Sequence, residues 1–280
     1  MDDNSFVDTL NISCGDDSST SLQMNLEQIY EWNIKQNVLE SILESIRPFD
    51  LVLFSGNNLL SKTIRLVEKE KLGLGTISHV GVVITKDILP HIKELEDKKL
   101  YIWESTSSKF KLDSQSKDIY GQSKFGVQIR ELESVIDFYL KNQGRVFWGK
   151  LKNNPWRCKS IVSFREKYQK RKNIILEMKD IENKYGKSSF NLNLIDLAAS
   201  IFPSFRPLRK WKKKLGKFFK RKKKEYIPLF CSEFVAIIYK SIHILDKDIN
   251  PSNIVPVDFL RANENGIPKI IKNIVEIILP

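Results

Sequence analysis

The sequence predicts an α+β domain, an antiparallel sheet with helices packed on it. Three observations predict this class. Short runs of strand type recur between residues 50 and 149, stretches with helical spacing lie before and after them, and no internal repeat is present. Apolar residues make up 41% of the 280-residue chain, enough for a real core and too many for a disordered protein.

The elements follow in order. Residues 1–24 are polar and rich in Asp, Ser and Asn, so a disordered arm is expected there, with one domain over 25–280. Leu26, Ile29, Tyr30, Val38, Ile42 and Ile46 fall at helical spacing, and Pro48 closes that helix. Asp50 to Phe54 reads as a short strand ending on Ser55-Gly56, and Leu59, Leu60, Ile64 and Val67 as a second amphipathic helix. Gly73 and Gly75 lead into the strand Ser78 to Ile84, and a long connection runs to the strand Tyr101 to Ser105. Further strands are expected at 125–131 and 145–149. Ser163 and Glu166 form a capping box for a long polar helix with the stripe Phe164, Tyr168, Ile175, Met178 and Ile181, which Gly186 ends. Leu192 to Phe202 gives another short helical pattern. Val235, Ile238, Tyr239 and Ile242 give the helix that opens on Cys231 a buried face, and a final apolar run closes the chain.

The cysteines Cys14, Cys158 and Cys231 have no ligand or disulfide spacing, which fits a reducing compartment. The N-terminus lacks the basic-apolar pattern of a signal peptide, and no 18 apolar residues run together. An intracellular, cytoplasmic protein is therefore expected. No metal-ligand spacing and no phosphate-cradling glycine loop is present, so neither metal nor cofactor is expected.

Three placements point to chemistry. His79 sits in an apolar strand, Glu104 in the next, and Cys231 at the start of a helix. Thiol, imidazole and carboxylate are the groups that cysteine acyl transfer needs. Alternate strand residues share a face, so His79 lies with Gly81 and Val83, and Glu104 with Ile102. A carboxylate on a core-facing side is costly unless paired. Neighbouring strands would let Glu104 bond His79 and fix its tautomer. At a helix N-terminus, the dipole and unpaired N–H groups favour a thiolate. The backbone N–H of Ser232 is the expected oxyanion donor. Each placement has an ordinary alternative: an inert core thiol, a structural imidazole, and a glutamate that faces water if the register slips by one. Their coincidence favours the chemical reading.

These residues resemble the permuted branch of the NlpC-type papain-like superfamily, which includes YiiX- and YebB-like proteins, a poxviral relative and, more distantly, lecithin–retinol acyltransferase. The likeness rests on the strand Asp50 to Gly56, on Ser78-His79-Val80-Gly81, on Glu104 and on Cys231-Ser232-Glu233-Phe234-Val235. Tyr185-Gly186-Lys187 resembles the glycine-bearing turn before the cysteine helix, and Pro256 to Phe259 the segment after it. The likeness covers about residues 48–260 as scattered motifs in the permuted order His, acid, Cys. It implies a circularly permuted papain-like fold. It also implies a Cys231 nucleophile, His79 as base and then acid, Glu104 orienting the ring, and an acyl-enzyme resolved by water or by an acceptor. Peptide, amide, ester and lipid acyl substrates all remain open.

Net charge is +12, and eleven basic residues with no acidic one lie between Arg209 and Lys224. Without them 35 basic residues would face 34 acidic ones. Leu208, Trp211, Leu215, Phe218 and Phe219 recur three or four apart among Lys212, Lys213, Lys220, Arg221 and their basic neighbours. An insertion over about 204–226 that docks on an anionic membrane is one reading. A nucleic-acid or nuclear-import patch is another, and a solvated loop a third. A reading from a different class keeps the fold and drops the chemistry, leaving a membrane- or nucleic-acid-binding module, such as a virion component.

Overall fold

A computed structural model describes residues 39–56, 77–106, 117–122, 126–156, 164–188, 229–260 and 270–278. The polar arm, the helical patterns at 59–67 and 192–202, the Gly73–Gly75 turn and the basic insertion lie outside the described residues. The chain divides into two compact units. One comprises Met1–Ser45 with Ile277–Pro280 and contains helix α1, described over 39–45. The other is Ile46–Glu276 and holds everything that follows.

Six strands form one sheet: β1 (Leu51–Ser55), β2 (His79–Ile84), β3 (Tyr101–Thr106), β4 (Gly126–Glu131), β5 (Arg145–Leu151) and β6 (Ile271–Ile277), in the order β4-β3-β2-β1-β5-β6. The pairs β1·β2, β2·β3, β3·β4 and β1·β5 are antiparallel. The α+β class and its antiparallel sheet are thus as the sequence predicts. Helix α2 (Leu132–Lys141) follows β4 directly, α3 is Phe164–Tyr185, and α4 is Cys231–Ser241.

The sheet separates two apolar layers. On one face Leu51, Leu53, Val80, Val82, Tyr101 and Trp103 share a core with Phe234, Val235, Ile238 and Tyr239 of α4. Trp103 meets Phe234 edge-on at 5.1 Å, and the Tyr239 hydroxyl donates to the Phe49 carbonyl at 2.8 Å. Such aromatic pairs add about 1 kcal/mol beyond their buried area. On the other face Tyr139 of α2 stacks on Phe54 of β1 at 4.3 Å.

Two details differ from expectation. Helix α2 is not foreseen, although Leu132, Val135, Ile136 and Tyr139 recur at helical spacing and are its buried residues. The buried stripe of α3 is Ile174, Met178 and Ile181, whereas Tyr168 stands 63% exposed and Ile175 is half-buried. One turn of 3.6 residues from Met178 reaches Ile174, which puts Ile175 and Tyr168 beside the contact line and not on it.

A buried carboxylate joins the sheet's centre. Asp50, fully buried, accepts bonds from the Arg47 amide, the Trp148 indole N–H, the Leu151 amide and the Asn154 side chain, each at 3.1 Å. It therefore ties the start of β1 to the end of β5.

Candidate active site

The register of the sheet places the predicted residues. Phe54 pairs with His79, Val83 with Ile102, Ile102 with Arg130, and Glu104 with Gln128. Cross-strand partners share a face, so His79, Glu104 and Arg130 all lie on the α2 side of the sheet. His79 Nε2 is 2.5 Å from Glu104 Oε2. The strand face read from the sequence is the observed one.

Gly81 makes that contact geometrically feasible. A Cβ there would lie 2.5 Å from the Ile102 side chain and 3.2 Å from Glu104 Cβ. Any larger residue would push the acid strand's side chains away from the path to His79.

Cys231 arrives from the opposite layer. It is the first residue of α4, is a free thiol, and is 4% exposed. Pairing of β2 with β3 runs from Ile84·Tyr101 to Val82·Trp103, while β2 pairs with β1 as far as His79 and β3 with β4 as far as Thr106. The N-terminus of α4 meets the sheet at this end. Ser105 Oγ donates to the Leu229 carbonyl at 2.8 Å, and Cys231 lies close enough to His79 to raise its imidazole. With Nε2 on the carboxylate, Nδ1 is the ring nitrogen left for sulfur.

Electrostatics follow from this contact chain. Burial presses the His79 imidazole down, but the charges of Cys231 and Glu104 and their hydrogen bonds outweigh it and raise it to about 9. Burial likewise works against Glu104 ionisation, yet Arg130 and His79 hold its carboxyl down at about 2. Glu104 is fully buried, and Arg130 grips its Oε1 with Nε at 2.7 Å and with Nη2 as well. The Tyr139 hydroxyl is pushed up by burial first and by the Glu104 charge second, so it stays a neutral O–H.

Phe230 precedes α4 without a side-chain cap, so the first-turn amides of Cys231 and Ser232 have no intrahelical acceptor. The Ser232 hydroxyl points elsewhere, donating to the Ile254 carbonyl at 2.7 Å. No family model matches the chain, and no curated protein matches it in sequence.

Of the predicted site residues, Cys231, His79 and Glu104 come together, with the Ser232 amide one residue from the sulfur. Trp211, Phe218, Phe219, Lys212, Lys213, Lys220 and Arg221 lie outside the described residues. His91 and His243 are exposed, and His91 lies 3.7 Å from Glu182. Arg130, Ser105 and Tyr139 escape the sequence reading. The alternation of Gln128 and Arg130 with Val127 and Ile129 places Arg130 on one strand face, but nothing local reveals the carboxylate opposite. Among the described residues no group of three His, Cys, Asp or Glu side chains converges as metal ligands would, and no helix is long and apolar enough to cross a membrane.

Proposed function

We propose that this chain is a cysteine hydrolase or acyltransferase of the permuted papain-like type, working through an acyl-enzyme on Cys231. The observation that carries the reading is the buried His79–Glu104 pair with Cys231 near enough to the same imidazole to raise it. A thiol beside a base, with a group that orients the base, forms the constellation that activates a sulfur nucleophile.

The chemistry runs in two halves. His79 Nδ1 takes the thiol proton, and Sγ attacks the acyl carbon. The carbonyl π electrons move to oxygen, which the Cys231 and Ser232 amides face. Collapse of this intermediate expels the leaving group, which receives the proton from His79. Water or an acceptor hydroxyl or amine then gives its proton to His79 and attacks the thioester. Sulfur leaves and is reprotonated. Glu104 keeps Nε2–H as donor and stabilises the imidazolium while it carries the proton. The cationic and aromatic sequence between 207 and 224 favours a lipid or lipid-linked ester or amide as substrate, met at an anionic membrane surface.

Alkylation of the full chain with iodoacetamide at about pH 6, mapped peptide by peptide, tests the trio. Cys231 is expected to react ahead of Cys14 and Cys158. His79→Ala is expected to slow Cys231 by about a hundredfold, the scale of a lost general base. Parent-like labelling of Cys231 in His79→Ala would falsify the assignment.

A further inference from the structure

The grip of Arg130 on Glu104 is unequal in an informative way. A guanidinium fork commonly takes both oxygens of a carboxylate, one per N–H. Here Nε and Nη2 both reach Oε1, and Oε2 is left to His79 Nε2. The register explains the division. Arg130 pairs with Ile102, two residues from Glu104 on the same face, so its side chain approaches from the β4 flank while His79 approaches from the β2 flank.

Charge leads to the same residue. During the reaction the array holds a thiolate, an imidazolium and a carboxylate, a net charge of minus one in a buried place. Arg130, itself buried, brings the sum to zero. Without that cation the least costly buried state returns a proton to sulfur or to Glu104, since an unbalanced charge in the interior is strongly disfavoured. Among the described residues the other titratable groups coupled to Glu104 are His79 on β2 and Tyr139 on α2, with Cys231 on α4 coupled to those two, and the neutral phenol cannot replace a cation.

We propose that Arg130 is a positioning residue of this site: holding one oxygen of Glu104, it reserves the other for His79 and balances the buried charge, so the imidazole can keep the proton of the thiol. The assignment rests on the reading of Cys231, His79 and Glu104 as a catalytic trio. Lysine carries the charge but not the two-pronged hold, so the two contributions are separable.

The test is the iodoacetamide rate at Cys231 across a pH series on the full chain, with folding checked by near-ultraviolet circular dichroism. Arg130→Met is expected to slow alkylation about tenfold at about pH 6 and to move the acid limb up by about one pH unit. The sign follows from charge: losing a positive neighbour disfavours both anions of the site, thiolate and carboxylate, so each keeps its proton to higher pH. Arg130→Lys is expected to fall between parent and Arg130→Met. In a Glu104→Gln background, Arg130→Met is expected to cause no further slowing, because its partner is already uncharged. A folded Arg130→Met protein with the parent profile overturns the proposal, and so does an equal extra loss in the Glu104→Gln background. If Arg130→Met does not fold, Arg130→Lys decides, and a parent-like limb there ends the proposal. Parent-rate alkylation in His79→Ala removes the trio itself, whereas a slow His79→Ala beside parent-like Arg130 variants removes only this role of Arg130.

Discussion

Ser105 and Leu229 are 124 residues apart in sequence, yet the Ser105 hydroxyl donates to the Leu229 carbonyl at 2.8 Å. The residue before Ser105 is the acid that holds His79, and the second residue after Leu229 is Cys231. Strand β3 therefore sets both ends of the contact chain, the acid through its own side chain and the sulfur through the segment leading into α4.

Removing the hydroxyl tests that link. Ser105→Ala leaves a buried carbonyl without its donor, and a loss of about 1 kcal/mol is expected in urea unfolding. The folded variant is also expected to alkylate Cys231 more slowly. Parent reactivity with lowered stability would show that the bond supports the fold without aiming the sulfur.

Gly81→Ala is expected to act by crowding. Its new Cβ would overlap the Ile102 side chain at 2.5 Å, and overpacking of this kind costs about 1–3 kcal/mol. A shift of the neighbouring Glu104 is expected to reduce Cys231 alkylation beyond what the stability loss explains. Ile102→Ala in the same chain removes both close carbons and is expected to restore part of the alkylation loss. Absence of any such recovery would mean that Ile102 is not the obstacle.

The pH dependence of stability follows from the buried pair. Glu104 lies below its ordinary value of 4.5, at about 2, so its contribution is present above 4.5 and is lost as pH falls toward 2. His79 lies above its ordinary value of 6.5, at about 9, so its contribution is present below 6.5 and is lost as pH rises toward 9. Urea midpoints are expected to be flattest between 4.5 and 6.5 and to decline on both sides. His79→Gln is expected to flatten the alkaline decline and Glu104→Gln the acid one. An alkaline decline unchanged in His79→Gln would assign it to another group.

Asp50 separates fold from chemistry. The donors Arg47, Trp148, Leu151 and Asn154 lie on β5, just after it and just before β1, away from the trio. Asp50→Ala is expected to cost about 3 kcal/mol or more, since several buried donors lose a charged acceptor. The fraction that stays folded is expected to keep the parent rate at Cys231. A rate falling in step with Glu104→Gln would mean the two carboxylates are coupled.

Legibility followed periodicity. His79 and Glu104 could be placed on facing sides because strand alternation is local, and the apolar runs around them leave one register that buries the rest. Cys231 could be placed at a helix start from the spacing of Val235, Ile238 and Tyr239. Arg130 could not, because its meaning depends on which strand lies beside β3, and pairing order is a property of the whole sheet. Helix α2 shows the other failing: Leu132, Val135 and Ile136 carry the pattern, but they follow β4 with no intervening loop to announce a change of period. Asp50 reads as the polar edge of an apolar run until Trp148, Leu151 and Asn154 converge on it.

The charges of His79, Glu104 and Arg130 are buried, where dissolved ions do not reach. Concentrated salt should therefore leave the thiol's reactivity nearly as it is in dilute buffer, while it would weaken the proposed docking of the lysine-rich 209–224 sequence on a negatively charged bilayer. Ionic strength is thus a simple way to separate the proposed chemistry at Cys231 from the proposed docking of the basic segment.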